Sequence, residues 1–229
     1  MHKPAVILLS GGIDSAATLA IAREDGFIPH AISFRYGQRN IWELDSAKRL
    51  AEAMSVRKHL IVDVDLEAIG GSALTAKDIA VPKQADSSGA GGRVPVTYVP
   101  ARNLIFLSLG LAWAETLNAS DLFIGVHSSD YSGYPDCRSD FIASFERTAN
   151  LGTRAGVGGR SISIRAPLIG MTKAEIIRRG TELGVDFSLS RSCYDPDQTG
   201  RACGRCDSCR LRKKGFSEAG IADPTTYQE

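Results

Sequence analysis

Short apolar runs alternate along this chain with stretches whose apolar residues recur every three or four positions. Ala5–Leu9, Ala31–Phe34, His59–Val64, Leu122–Val126 and Ile162–Ile164 read as strands. The first is continuously apolar, as expected of a strand buried on both faces. Ala16, Ala17, Leu19, Ala20, Ile21 and Ala22 read as a helix directly after it. Ala47, Leu50, Ala51 and Met54, at i, i+3, i+4 and i+7, predict a second helix. The segment from Arg102 to about Leu117 is apolar nearly all round, which predicts a helix buried in the core. Thr172-Lys173-Ala174-Glu175 is a capping box, so a later helix opens there. This βαβα order predicts an α/β fold, a parallel sheet with helices on both faces. Ligands in such sheets sit beyond the carboxyl ends of the strands. Residues 1–185 read as that domain and 186–229 as a C-terminal segment packed on it. Two glycine-rich stretches, Asp86–Arg93 and Gly152–Arg160, predict mobile loops without regular structure.

Composition narrows the classes. At 229 residues, 43% apolar and 23% charged, the chain suits one α/β domain with a small appendage. Its net charge of +1 supplies no global field to recruit nucleic acid or an anionic membrane. No apolar run approaches the roughly 20 residues that span a bilayer. Met1-His2-Lys3-Pro4 leads straight into the first strand, which reads as no signal peptide and makes a cytoplasmic location the default expectation. Five cysteines in a reducing compartment then need a reading other than disulfides.

The candidate chemistry begins where the first strand stops. Leu9-Ser10-Gly11-Gly12-Ile13-Asp14-Ser15-Ala16-Ala17-Thr18-Leu19 runs from strand through a glycine loop into a helix N-terminus. Glycines let a phosphate approach the backbone, and first-turn N–H groups carry the positive end of the helix dipole. Ser10 and Ser15 add hydroxyl donors. A Walker A loop would place a lysine after the glycines, and none follows. The loop therefore reads as an anion site not built to clamp a γ-phosphoryl group. Lys173, in the first turn of the capped helix, sits where a cation is unfavourable unless an anion is near. Arg102 and Asn103 are expected to project into the site from the start of their helix.

Cys193-x9-Cys203-x2-Cys206-x2-Cys209 can bring four thiolates to one tetrahedral ion, with Gly200 and Gly204 letting the chain turn. Structural zinc is favoured over an iron–sulfur cluster, because the long first spacer departs from the ferredoxin run. Arg201, Arg205, Arg210, Arg212, Lys213 and Lys214 around it read as a solvated basic rim. Cys137 reads as a small buried residue. Its neighbours Asp136 and Arg138 offer a carboxylate and a guanidinium two residues apart, suited to a guanine-like heterocycle bearing an acid.

Ser-Gly-Gly-Ile-Asp-Ser resembles the signature of the PP-loop ATP pyrophosphatases. Together with Phe34–Arg39 (FRYGQR), Val99–Leu104 (VPARNL), the SGYPDCR core ending at Arg138, Ala166–Glu175 (APLIGMTKAE) and the cysteine tail, the chain resembles the QueC family, which makes 7-cyano-7-deazaguanine. The resemblance implies a Rossmann-like PP-loop fold and ATP-dependent conversion of 7-carboxy-7-deazaguanine and ammonia to the nitrile, through an adenylated acid and an adenylated amide. It implies Mg²⁺ held by Asp14, with Ser10, Gly11, Gly12 and Ser15 at the pyrophosphate and Lys173 and Arg102 adding charge. Arg35, Gln38, Asn103, Tyr134, Asp136 and Arg138 are the implied acceptor contacts, and a homodimer is the implied assembly. Ala101 stands where the family more often has glycine, which suits a turn that does not require positive φ. A PP-loop enzyme that thiolates tRNA and a non-catalytic nucleotide-binding zinc module are the rival readings. The near-zero charge argues against the first, and Asp14 with SGYPDCR against the second.

Overall fold

The computed structural model describes residues 3–83, 94–127 and 134–228. Five strands, β1 (Pro4–Leu8), β2 (Ile28–Arg35), β3 (Lys58–Asp63), β4 (Asp121–Phe123) and β5 (Ser163–Arg165), form one parallel sheet in the order β3-β2-β1-β4-β5. The described residues also form the α-helices α1 (Ile13–Glu24), α2 (Trp42–Ala53), α3 (Arg102–Thr116), α4 (Ser139–Gly152), α5 (Arg154–Val157), α6 (Lys173–Glu182) and α7 (Asp207–Ala219). β1 shows why both faces are covered. Ala5 and Ile7 enter one apolar cluster with residues of α1, α2, α6 and α7, while Val6 and Leu8 enter the other with residues of α3 and α4. The chain winds outward from β1 to β3 on one side and then from β4 to β5 on the other. Strand order therefore reverses between β1 and β4, and a crevice opens beyond their carboxyl ends.

Two expectations need correction. First, α3 is not enclosed. Phe106, Leu107, Gly110 and Ala114 are buried against the sheet, but Leu104 is 46% exposed and Ile105, Leu109, Leu111 and Trp113 are only partly covered. A helix laid on a sheet buries one stripe, and no further layer of the described residues covers the rest. Second, Gly152–Arg160 is ordered. α4 runs to Gly152 and α5 follows at once, because the Thr153 side chain accepts from the Gly156 amide (3.1 Å) and Glu115 Oε1 from the Ala155 amide (3.0 Å). A Cβ at Gly156 would lie 2.1 Å from the Asn150 carbonyl oxygen, so that glycine serves close packing. Asp86–Arg93 lies outside the described residues.

Candidate active site and metal centre

The glycine loop is held by the helix beside it. Gly11 has φ +93°, and a Cβ there would lie 2.4 Å from the Glu43 carbonyl oxygen and 2.9 Å from the Ala47 amide nitrogen of α2. Only glycine meets both demands. Gly12 is the N-cap of α1 in extended conformation, with no side-chain cap, so the first-turn amides stay available to an anion. Ser10 Oγ donates to Ser15 Oγ (3.1 Å), which donates to the Gly12 carbonyl (3.1 Å). Leu9, Ser10, Gly12, Ile13, Asp14 and Ser15 line a cavity of about 250 Å³ at the crevice. Ala16, Ala17, Thr18 and Leu19 continue α1 into the core, where they are fully buried.

Asp14 and Lys173 meet in that cavity. Lys173 Nζ donates to both Asp14 carboxylate oxygens, at 2.6 and 2.8 Å. His127 Nε2 lies 2.8 Å from the same nitrogen and 3.6 Å from Asp14 Oδ1, with its side chain 1% exposed. Burial pushes the Asp14 carboxyl up, and the Lys173 charge with His127 outweighs it, so the group sits far below the usual carboxylate range. Lys173 reaches this point because Thr172 and Glu175 form the capping box that starts α6. Its stem crosses Gly215 of α7, where a Cβ would lie 2.4 Å from Lys173 Cγ.

The other end of the cavity is aromatic and charged. Phe34 stacks on Phe106 (3.9 Å between ring centroids) and Tyr36 meets Phe106 edge-on (5.3 Å). Arg102 Nη1 donates to the Tyr36 hydroxyl (3.3 Å). Burial pushes Arg102 down, but the tyrosine oxygens and Asp136 hold its charge more firmly than in water. Glu43 faces it from α2, and burial pushes this carboxyl up to about 7 against the pull of Arg102. Gln38 lines the cavity but is used locally, accepting from the Tyr36 amide (2.8 Å) and donating to the Phe34 carbonyl (3.1 Å). Tyr134 also lines it, its hydroxyl 2.7 Å from Thr97 Oγ1.

Asp136 and Arg138 do not line this cavity; both border a second, more open hollow together with Tyr98, Ala101 and Leu104. Asp136 is largely buried, its carboxylate accepts from the Asn103 amide (3.0 Å), and Asn103 Nδ2 donates to its carbonyl (3.1 Å). It thus caps α3, whose N-cap residue Ala101 has no capping side chain. Ala101 adopts φ +54°, so the turn does require the left-handed region after all. Arg138 points outward to Asp140 (3.6 Å) and Arg35 pairs with Asp63 (2.5 Å) at the surface; neither lines the cavity. Ser132 and Gly133 of SGYPDCR lie outside the described residues.

The C-terminal segment completes the wall. Arg191, Ser192, Ser208, Leu211 and Arg212 all line the cavity, and the Arg191 amide donates to the Gly11 carbonyl (2.9 Å). Arg212 is no part of a solvated rim. It is 2% exposed, paired with Asp223 (2.9 Å) and donating to Ser190 Oγ (2.8 Å). Beside it the four sulfurs of Cys193, Cys203, Cys206 and Cys209 lie within 4.8 Å of one another, all buried. Bonds of about 2.3 Å to one tetrahedral ion would set sulfurs about 3.8 Å apart, so the cluster fits a four-thiolate metal site. Backbone amides of Cys203 and Cys206 donate to Cys193 Sγ (3.2 Å) and Cys203 Sγ (3.3 Å), the partners that thiolates need.

Glu43, His127, Arg191 and the inward Arg212 escaped the sequence reading. An acidic residue in a first helical turn is ordinary, and only His127 directly follows a segment read as a strand, Leu122–Val126.

Comparison with known proteins identifies relatives of the chain. The family model described as "Queuosine biosynthesis protein QueC" matches residues 4–220. A protein of Citrifermentans bemidjiense named 7-cyano-7-deazaguanine synthase is 60% identical over 229 residues, covering 100% of both chains. One of the same name from Paramagnetospirillum magneticum is 58% identical, over 98% of this chain and 99% of its own. NMN synthetase from Francisella tularensis aligns over 96% of this chain and 78% of its own, with TM-score 0.49 and 17% identity. A family match over nearly the whole length, on a chain whose glycine loop and cysteine cluster fold as described, shows that this chain belongs to the QueC family of queuosine biosynthesis proteins.

Proposed function

We propose that this chain catalyses ATP-dependent formation of 7-cyano-7-deazaguanine from 7-carboxy-7-deazaguanine and ammonia, as an AMP-forming ligase in queuosine precursor biosynthesis. The observation that carries the reading is the single cavity joining the phosphate-type loop to an aromatic slot with its own charges. A carboxylate is a poor electrophile and an amide oxygen a poor leaving group. Each is activated by attack of its oxygen on the α-phosphate of ATP, and pyrophosphate leaves. Ammonia then displaces AMP from the adenylated acid to give the amide. The second activation ends with loss of AMP and formation of the nitrile, two ATP in all. No covalent protein intermediate is required.

Ser10, Gly12, Ser15 and the first-turn amides of α1 hold the pyrophosphate. Lys173 adds charge at the phosphates, and Asp14 would hold a magnesium ion, which would supply charge neutralisation for the leaving pyrophosphate. Arg102 supplies charge from the α3 wall. The four cysteines would hold one structural zinc ion, which would fasten residues 186–229 as the wall of the site. Four cysteines gathered as a metal site, with no call for disulfides, support a cytoplasmic location. No helix of the described residues is long and apolar enough to cross a membrane. The half-covered face of α3 supports a homodimer built on that helix. The test is mass spectrometry of a reaction with 7-carboxy-7-deazaguanine, an ammonium salt and Mg-ATP. A nitrile with two AMP per turnover is expected; AMP release with tRNA instead would favour the thiolation reading.

A further inference from the structure

The cavity holds one carboxylate that nothing so far uses. Among the described residues that line it, the acidic side chains are Asp14 and Glu43. Asp14 is engaged by Lys173. Glu43 has no hydrogen-bond partner for its carboxylate among the described residues; Arg102 acts on it only as a nearby charge. Its backbone packs closely on the phosphate loop, since a Cβ on Gly11 would lie 2.4 Å from the Glu43 carbonyl oxygen. Flat walls stand beside it in Phe34, Tyr36 and Phe106.

Resting on the proposed function, we propose that Glu43 reads the acceptor heterocycle, its two oxygens accepting from the ring N1–H and the exocyclic 2-amino group while Arg102 serves the neighbouring 6-oxo oxygen. A guanine-type edge offers two adjacent donors beside one acceptor, which matches a carboxylate flanked by a guanidinium. The corresponding edge of adenine presents a ring-nitrogen lone pair, which a carboxylate repels. The slot thereby sorts the acceptor from the adenine of ATP within one continuous cavity. A carboxyl raised to about 7 by burial gains from two N–H donors, because they supply the stabilisation that water no longer does. The chemistry first sought in Asp136 and Arg138 is thus assigned to Glu43 and Arg102, on two helices from opposite faces of the sheet.

The test is equilibrium binding by calorimetry, on the wild-type chain and Glu43→Gln, with three probes: 7-carboxy-7-deazaguanine, its analogue lacking the 2-amino group, and Mg-ATP. The wild type should lose at least about tenfold in affinity on removal of the amino group. Glu43→Gln should bind the full acceptor at least about tenfold more weakly and discriminate between the two acceptors no longer. Mg-ATP affinity should stay within about twofold, which also reports that the variant is folded. Persisting discrimination in Glu43→Gln, or a loss that falls on Mg-ATP instead, overturns the assignment. If the wild type binds Mg-ATP but neither acceptor, the proposed function fails and takes this inference with it. Failure confined to the variant leaves that reading standing.

Discussion

The two ends of the cavity are built in different ways. The phosphate end is backbone: a glycine turn, the start of α1 and two serines already bonded to each other. The heterocycle end is side chain: rings from Phe34, Tyr36 and Phe106, a guanidinium from α3 and a carboxylate from α2. Peptide dipoles suit a polyanion of any origin, since they carry partial charge without sequence-specific shape. A flat base with a particular order of donors and acceptors needs directed side chains, and unsatisfied ones at that. On the proposed reading, the general part of the substrate falls to the part of the chain that is hardest to vary, and the specific part to residues that can change singly.

Breaking the phosphate end should have the largest effect. Asp14→Ala should keep the fold and cut AMP release by about 10²-fold or more, read as nucleotide product per turnover. Normal turnover would remove the magnesium role. The cysteine cluster comes next. Cys206→Ser should lose the metal, measured by elemental analysis, and with it solubility, since binding at such sites contributes on the order of 10 kcal/mol to local folding. Visible absorbance in anaerobically purified wild type would replace zinc with an iron–sulfur cluster.

Gly11→Ala probes the joint between the two ends. Its Cβ would meet the Glu43 carbonyl at 2.4 Å, in a left-handed turn, so a loss of about 2–4 kcal/mol is expected in denaturant unfolding. Acceptor affinity should fall with it, because Glu43 moves too. An unchanged midpoint would mean that α2 yields easily. Acid acts more gently, on the C-terminal wall. Burial raises the Asp223 carboxyl, but Tyr227 and Arg212 hold it below its ordinary 3.8. Its contribution is therefore present above the unfolded value and is lost as pH falls through the folded one. Asp223→Asn should flatten stability against pH below about 4; an identical acid profile would deny the pair a role. Smallest is Ala101→Gly, which should gain up to about 1 kcal/mol by relieving φ +54°. A loss would mean that chain entropy outweighs the strain.

Much of the fold was legible because its signals are local. All five strands and the helices α1, α2 and α3 follow from the runs and spacing of apolar residues, and α6 from the capping box of Thr172 and Glu175, which forms as read. The glycine loop and cysteine spacing lie within short spans of chain, so their geometry is nearly set by their own residues. Burial of α3 was misread because hydrophobicity reports what a helix can bury and not what is present to cover it. Gly152–Arg160 was misread because glycine permits close packing as readily as looseness. Ala101 was misread because no side chain announces its own φ.

Local chemistry alone was enough for an α/β sheet, an anion-binding loop and a four-thiolate cluster. The pairing of Asp14 with Lys173 and His127 was settled by strand order, since β1 and β4 are neighbours although more than a hundred residues separate them. So was the presence of Glu43 and Arg102, and not Asp136 and Arg138, on the lining of this cavity. Neither fact leaves a mark in periodicity or spacing, because both depend on where separate helices come to rest on the two faces of one sheet.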